Sequence, residues 1–131
     1  MAPAPGEVAA ILLLAQEGLY FQDEVEDVLV EIRDGGDLGE LSRLGGPIIS
    51  RYERMRRDLR CHADPALRTY TDALDEVFAN HSLLLHSALD LLAVSWRSER
   101  LEDERRRLGR VGPQGARLER LVRELKALAG R

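Results

Sequence analysis

The sequence predicts an all-α protein, either a helical bundle or a long α-hairpin, with a short C-terminal amphipathic helix. Aromatic residues make up only 5% of the 131 residues, whereas leucine, alanine, glutamate and arginine are abundant. This composition favours helix over sheet. Apolar residues recur at three- and four-residue spacing in several segments, and glycine or proline separates these segments. A chain of this length is sufficient for one core.

A first helix is predicted from about Glu7 to Arg33, where Gly35 and Gly36 end it. One set of small or apolar residues, with one polar member, follows the alternating steps of a heptad seam. The set is Ile11, Ala15, Gly18, Gln22, Val25, Leu29 and Ile32. A second set widens this apolar stripe and predicts packing against more than one neighbour. It consists of Leu12, Leu19, Tyr20, Phe21 and Val28.

A short helix is predicted next, because Asp37 and Glu40 have the spacing of a capping box. The Gly-Gly-Pro sequence at 45–47 is expected to break it, and the proline to begin a second long helix that runs to about His62. The spacing of its apolar residues predicts a buried face of Ile48, Ile49, Tyr52, Met55 and Leu59. The remaining face is basic and carries Arg51, Arg54, Arg56, Arg57 and Arg60.

A third helix is predicted to start at the Asp64-Pro65 pair, an N-cap followed by proline. It has the strongest apolar period in the chain, formed by Tyr70, Leu74, Val77, His81, Leu84, Ala88, Leu91 and Ser95. From about residue 97 the chain is nearly all charge, and only Leu101 and Leu108 continue the spacing. This charged extension is expected to project into solvent or to form a thin contact with one other helix.

A last helix follows the Gly-Pro-Gln-Gly break, which divides the chain into a helical bundle at 1–111 and a C-terminal amphipathic helix at 112–131. Its apolar stripe consists of Leu118, Leu121, Val122, Leu125 and Leu128. A helix this short needs a docking surface to remain ordered. Because Leu101 and Leu108 offer too small a surface for it, all seven residues are predicted to bind a partner chain.

Charge is strongly sorted along the chain, although the net charge is only −4. The net charge is −9 over residues 1–40, +4 over 41–62, −4 over 63–96 and +5 over 97–131. Complementary packing of an acidic first helix beside basic later ones is one explanation, and a basic face for phosphate or an acidic partner is the other. The acidic balance argues against a dedicated nucleic-acid binder.

The compartment is expected to be cytoplasmic and reducing. Cys61 is the only cysteine and cannot form an internal disulfide. The longest apolar stretch, Val8 to Ala15, is too short to cross a membrane, and no basic residue precedes it as in a signal peptide.

No cofactor or metal site is predicted. His81 and His86 are five residues apart and diverge by about 140° on a helix, whereas His86 and Asp90 share a face but supply only half a site. His81 lies within the apolar stripe of the third helix, so we expect a core histidine hydrogen-bonded across the bundle. Cys61 is expected to be a free, partly buried thiol.

One motif carries chemistry that suits RNA. The segment from Arg57 to His62 has an arginine, a polar residue, three further residues and a histidine. It resembles the motif of HEPN ribonucleases, small helical bundles that often dimerise. The resemblance implies that Arg57 stabilises phosphate charge and that His62 acts as an acid or base. It covers six residues, and Arg60 stands where that family has an apolar residue.

Three functions are therefore open. The favoured one is a non-enzymatic interaction subunit or adaptor, which presents amphipathic helices to protein partners in a homo- or hetero-oligomer. The first alternative is a HEPN-like ribonuclease that uses Arg57 and His62. The second is a nucleic-acid-binding regulator that uses the arginine face at 51–60, although aromatic residues do not alternate with these arginines.

Overall fold

The computed structural model describes residues 2–95 and 101–130, and all secondary structure in these residues is helical. The α-helices are α1 (Pro5–Arg33), α2 (Leu38–Arg60), α3 (Arg68–Ser95), α4 (Leu101–Arg106) and α5 (Pro113–Ala129), and a 3₁₀ turn (Pro65–Leu67) precedes α3. Helices α1 and α3 contact each other, α2 packs against both, and α5 packs against both as well. The predicted all-α bundle is confirmed.

Helix α1 contributes a continuous buried strip to the core. Its buried residues include every member of the predicted heptad seam, together with Val8 and Val28. Of the residues predicted to widen the stripe, Leu12, Leu19 and Phe21 are half-buried against the core. Tyr20 is 67% exposed, so its assignment to the buried stripe was wrong. Asp34 is the C-cap of the helix, and Gly35 follows with φ 96°, a conformation in which glycine carries no Cβ penalty.

Helix α2 is continuous, so the predicted break at the Gly-Gly-Pro sequence was wrong. Asp37 caps the helix as expected, since its side chain accepts a hydrogen bond from the Glu40 amide at 3.0 Å. Pro47 lies inside the helix, which ordinarily costs about 3 kcal/mol. Leu41 and Ile48, on either side of it, are both buried. Each buried side chain of this size contributes about 1.5–3 kcal/mol, enough to offset the lost hydrogen bond.

Gly45 lies within α2 at a position where a side chain would collide with α3. A Cβ atom at this position would lie 2.8 Å from Cδ1 of Leu89 on α3. The glycine therefore permits a close approach of two helices rather than a turn. Four residues of the predicted buried face, Ile48, Tyr52, Met55 and Leu59, are buried as expected, and Ile49 packs at the margin of the core.

Helix α3 runs antiparallel to α2. The side chain of Asp64 accepts a hydrogen bond from the Ala66 amide at 2.9 Å, which confirms the predicted cap, although the first turn is 3₁₀ rather than α-helical. Arg56 Nε lies 2.9 Å from Asp75 Oδ1. The Ser82 hydroxyl donates to Glu53 at 3.0 Å. Residues 96–100, on which the predicted continuity of the third helix into the charged extension depends, lie outside the described residues.

Helix α5 returns to the bundle and joins the same core. The carboxylate of Glu26 on α1 accepts hydrogen bonds from Arg110 Nε at 2.6 Å and from the Val111 amide at 2.9 Å. This contact fixes the turn that precedes α5. Val111, Leu118, Val122 and Leu125 are buried in one hydrophobic cluster with residues of α1, α2 and α3.

Candidate functional site

The most buried polar cluster lies where α1, α2 and α3 meet. Nε2 of His81 lies 2.8 Å from Oε1 of Gln22, and the rings of His81 and Tyr52 pack edge to face with centroids 5.5 Å apart. The Tyr52 hydroxyl donates to the Gly18 carbonyl at 2.7 Å. The prediction of a core histidine hydrogen-bonded across the bundle is confirmed.

Burial controls the protonation of this cluster. Desolvation lowers the pKa of His81 to about 4, because the charged imidazolium loses its hydration inside the bundle. The Val77 carbonyl and the charge of Glu26 oppose this shift only in part. Desolvation also raises the pKa of the Tyr52 phenol, and Glu24 and Asp23 add to that shift. Both groups are neutral at physiological pH, so the cluster acts as a buried hydrogen-bonding layer rather than as a source of charge.

His62 and Arg57 occupy different environments. His62 follows the end of α2 and its Nδ1 lies 2.7 Å from Oε2 of Glu7 on α1. Arg57 lies in the last turn of α2 and is exposed. The structure thus pairs His62 with a carboxylate of α1, and no hydrogen bond or ion pair joins its side chain to Arg57 among the described residues.

The predicted basic face of α2 divides into paired and unpaired arginines. Arg51 Nη1 lies 3.6 Å from Glu17 of α1, and its guanidinium lies 5.6 Å from the centre of the Phe21 ring. Arg56 is held by Asp75 of α3, which raises the pKa of Arg56 through their hydrogen bond. Within the described ranges, Arg54, Arg57 and Arg60 form no ion pair and are exposed. Two of the five arginines therefore serve contacts inside the bundle.

The predicted partner surface on the last helix is wrong in its premise. Leu118, Leu121, Val122 and Leu125 are buried against α1 and α3 of the same chain, and Leu108 and Leu128 pack at the margin of this core. The side chain of Leu101 lies outside the described part of the structure. The chain has enough apolar surface of its own to cover this stripe, because α5 docks on α1 and α3 rather than on the charged extension.

A different surface is left exposed on the outer sides of α1 and α2. On α1 it follows steps of four and three residues through Leu13, Glu17, Tyr20, Glu24, Asp27 and Glu31, of which Glu17 and Glu24 are half-buried. On α2 it follows the same steps through Arg43, Pro47, Ser50, Arg54, Arg57 and Cys61. We call these twelve residues the α1–α2 face. Leu13 and Tyr20 are each 67% exposed although they are large and apolar or aromatic.

Contacts between the two helices place their outer stripes side by side. Leu13 and Cys61 line the same surface cavity of about 340 Å³, together with Ala10, Leu14, Glu17, Asp58 and His62. The rings of Tyr20 and Phe21 pack edge to face with centroids 5.3 Å apart, and Arg51 of α2 covers Phe21. Cys61 is exposed, so the expectation of a partly buried thiol was wrong.

The sequence carried a signal for this surface. The outer stripe of α1 has the same heptad spacing as the buried seam, and it changes from apolar and aromatic residues at Leu13 and Tyr20 to acidic residues at Glu24, Asp27 and Glu31. A helix with two such stripes faces two environments. Composition alone does not show which stripe the chain covers, since both contain large apolar side chains.

Nδ1 of His86 lies 3.3 Å from Asp90 Oδ2, and both side chains are exposed. In residues 2–95 and 101–130, no three histidine, cysteine or acidic side chains are grouped as metal ligands would be. Over the same ranges, no helix has the length and apolar character needed to span a bilayer.

Comparison of the chain with protein-family models, with curated proteins and with solved structures gave no match.

Proposed function

We propose that this protein is a non-enzymatic interaction subunit or adaptor that binds a protein partner through the α1–α2 face. The observation that carries this proposal is the exposure of Leu13 and Tyr20, at 67% each, in one outward register of α1. Single exposed apolar residues are ordinary on protein surfaces. Here the two are two helical turns apart on one stripe, and Leu13 borders a cavity whose other wall is α2.

The chemistry of the surrounding residues suits a protein partner. Tyrosine and arginine contribute strongly to protein interfaces, because they combine a large contact area with a polar group. The Phe21 ring contacts both the Tyr20 ring and the Arg51 guanidinium. Arg54 and Arg57 are exposed on the adjacent stripe. A partner that covers this face would remove apolar surface from water and could pair with charges at its margin.

The test is copurification of the full chain from its native host, with two variants. Leu13→Ser with Tyr20→Ser removes the apolar part of the α1–α2 face. Leu83→Ser is the matched control, since Leu83 is 66% exposed on α3, which forms another side of the bundle. We expect the double variant to lose proteins that the wild type and the control retain. Equal recovery of copurifying proteins with all three, untagged copies of the chain itself included, while circular dichroism shows intact helices, would refute the proposal.

A ribonuclease activity is the second candidate, and the pairing of His62 with Glu7 favours it. A carboxylate 2.7 Å from Nδ1 orients an imidazole and sets its tautomer, as many general acid–base histidines require. We rank it second because Arg57 is not part of this pair. Incubation of purified protein with single-stranded RNA tests it, with His62→Asn and Glu7→Gln as variants. Cleavage by the wild type that both variants lose, with the fold retained, would reverse our ranking.

A further inference from the structure

We propose that the partner of the α1–α2 face is a second copy of this chain. The inference rests on the proposed function, because it assigns an occupant to the same surface. It follows from three features of the face, namely its charge distribution, the antiparallel arrangement of its two helices, and its size.

The two ends of the α1–α2 face carry opposite charge. Glu24, Asp27 and Glu31 occupy the outer stripe of the second half of α1, where the only base of the face is Arg43 on α2, and Arg54 and Arg57 occupy the outer stripe of the second half of α2. The three acidic residues, Arg54 and Arg57 form no ion pair within the described residues. Glu17, on the half of α1 beside these two arginines, is paired with Arg51. Tyr20 provides aromatic surface near the centre of the face, and Leu13 provides apolar surface at its basic end, beside Cys61.

The antiparallel packing of α1 and α2 separates these charges. His62 contacts Glu7, and Arg51 contacts Glu17, so the basic second half of α2 lies beside the first half of α1. The acidic residues of α1 therefore lie at the opposite end of the face, on the order of 20 Å from Arg57 along the helix axes at a rise of about 1.5 Å per residue.

This arrangement is complementary to itself. A two-fold axis in the plane of the interface, passing close to Tyr20, places the acidic end of each copy over the basic end of the other. Both contacts are then attractive and equivalent, as in an isologous dimer. A partner of uniform charge would be attracted at one end and repelled at the other, since like charges brought together across an interface cost several kcal/mol.

The size of the face matches what a dimer needs. Helix α2 contains 23 residues and is therefore about 35 Å long, and two adjacent helices are about 20 Å wide. The projected area of the two helices is therefore on the order of 700 Å², the same order as the roughly 800 Å² of accessible surface that each partner buries in a standard interface.

Charge reversal provides the test, with sedimentation velocity of the full chain at several concentrations as the measurement. The first variant, Asp27→Arg with Glu31→Arg, makes the acidic end basic. The second, Arg54→Glu with Arg57→Glu, makes the basic end acidic. We expect the wild type to be a dimer and each variant alone to lose affinity about a hundredfold or more, because both contacts become repulsive. An equimolar mixture of the two should restore the dimer, since both contacts in the mixed pair are again attractive.

The control is Asp72→Arg with Asp90→Arg, which changes net charge as the first variant does but lies on exposed positions of α3. It should remain a dimer. A monomeric wild type, variants that still dimerise, or a mixture that stays monomeric would each overturn the second-copy proposal. If the wild type is monomeric and Leu13→Ser with Tyr20→Ser still removes a copurifying protein, only the identity of the partner is wrong. If that double variant removes nothing either, the proposed function fails as well.

Discussion

The buried imidazole of His81 makes the stability of the bundle depend on pH. Burial lowers its pKa in the folded protein to about 4, whereas an unfolded chain has the ordinary histidine value of about 6.5. Below that value the unfolded state binds a proton that the folded state does not. The contribution of His81 to the free energy of unfolding is therefore fully present above about pH 6.5 and is lost as the pH falls toward 4.

The size of the effect follows from these two pKa values. Each unit of difference corresponds to about 1.4 kcal/mol. From about pH 7.5 to about pH 5, the free energy of unfolding should fall by about 2 kcal/mol on account of His81 alone. Isolated carboxylates, with ordinary pKa values near 4, change little over this range. The groups that face the imidazole are Gln22, Tyr52 and, at longer range, Glu26.

Urea unfolding followed by circular dichroism at the two pH values measures this term. The variant His81→Gln keeps a polar side chain opposite Gln22 and cannot titrate, and His62→Gln serves as the control at a half-buried surface histidine. We expect the pH dependence of stability to shrink by about 2 kcal/mol in His81→Gln, which is about 1 M in urea midpoint for a typical slope. A variant that retains the full pH dependence of the wild type would refute the assignment to His81.

Three further predictions concern packing. Gly18→Ala should destabilise the protein by about 1–3 kcal/mol, because a Cβ atom would lie 2.6 Å from Cζ of the buried Phe78 ring. Thermal unfolding measures this loss of stability. An unchanged unfolding midpoint would contradict the close helix contact. Tyr52→Phe removes the buried hydrogen bond to the Gly18 carbonyl and should cost about 1 kcal/mol in urea unfolding. An equally stable variant would contradict a net stabilising contribution of this hydrogen bond. Leu121→Asp with Leu125→Asp places two charges in the core beside α1 and α3. It should unfold the whole bundle, since the cost of burying these charges exceeds about 5 kcal/mol. A variant with native helicity by circular dichroism would mean that the bundle folds without docked α5.

The spacing of apolar residues within single helices predicted the buried faces of α1 and α3. The seam of α1 could be predicted because all its members, including the polar Gln22, lie on one side of the helix. His81 lies at the same kind of position in α3, and its hydrogen bond to Gln22 joins the two seams. A polar residue inside an apolar period indicates a partner on a facing helix, since an unpaired buried polar group is costly.

The break predicted in α2 failed because local helix breakers compete with tertiary contacts. Glycine and proline at 45–47 disfavour a helix through the backbone alone. In the bundle Gly45 contacts Leu89, and Leu41 and Ile48 are buried on the same side of α2. Gly45 and Leu89 are more than 40 positions apart, so spacing within a single segment could not show this contact.

The position of α5 was mispredicted for a related reason. Helical spacing predicted its apolar stripe, but the stripe packs mainly against α1, nearly 100 residues earlier in the chain. The small residue Gly115 and the buried amide of Gln22 meet at this contact, where a Cβ atom would lie 3.1 Å from Nε2 of Gln22. Helical spacing shows that a stripe needs a partner and leaves the identity of that partner open.

The sorted charge of the chain is used in two ways. Complementary packing accounts for one part, since Glu17 and Glu26 of the acidic first helix pair with Arg51 and Arg110 from later basic segments. The other part is found on the α1–α2 face, where Glu24, Asp27 and Glu31 at one end and Arg54 and Arg57 at the other form no ion pair within the described residues. Folding therefore converts a one-dimensional separation of charge into a surface with two poles. Exposed apolar and aromatic side chains, Leu13 and Tyr20, lie on that same surface, so charge and exposure indicate one site rather than two.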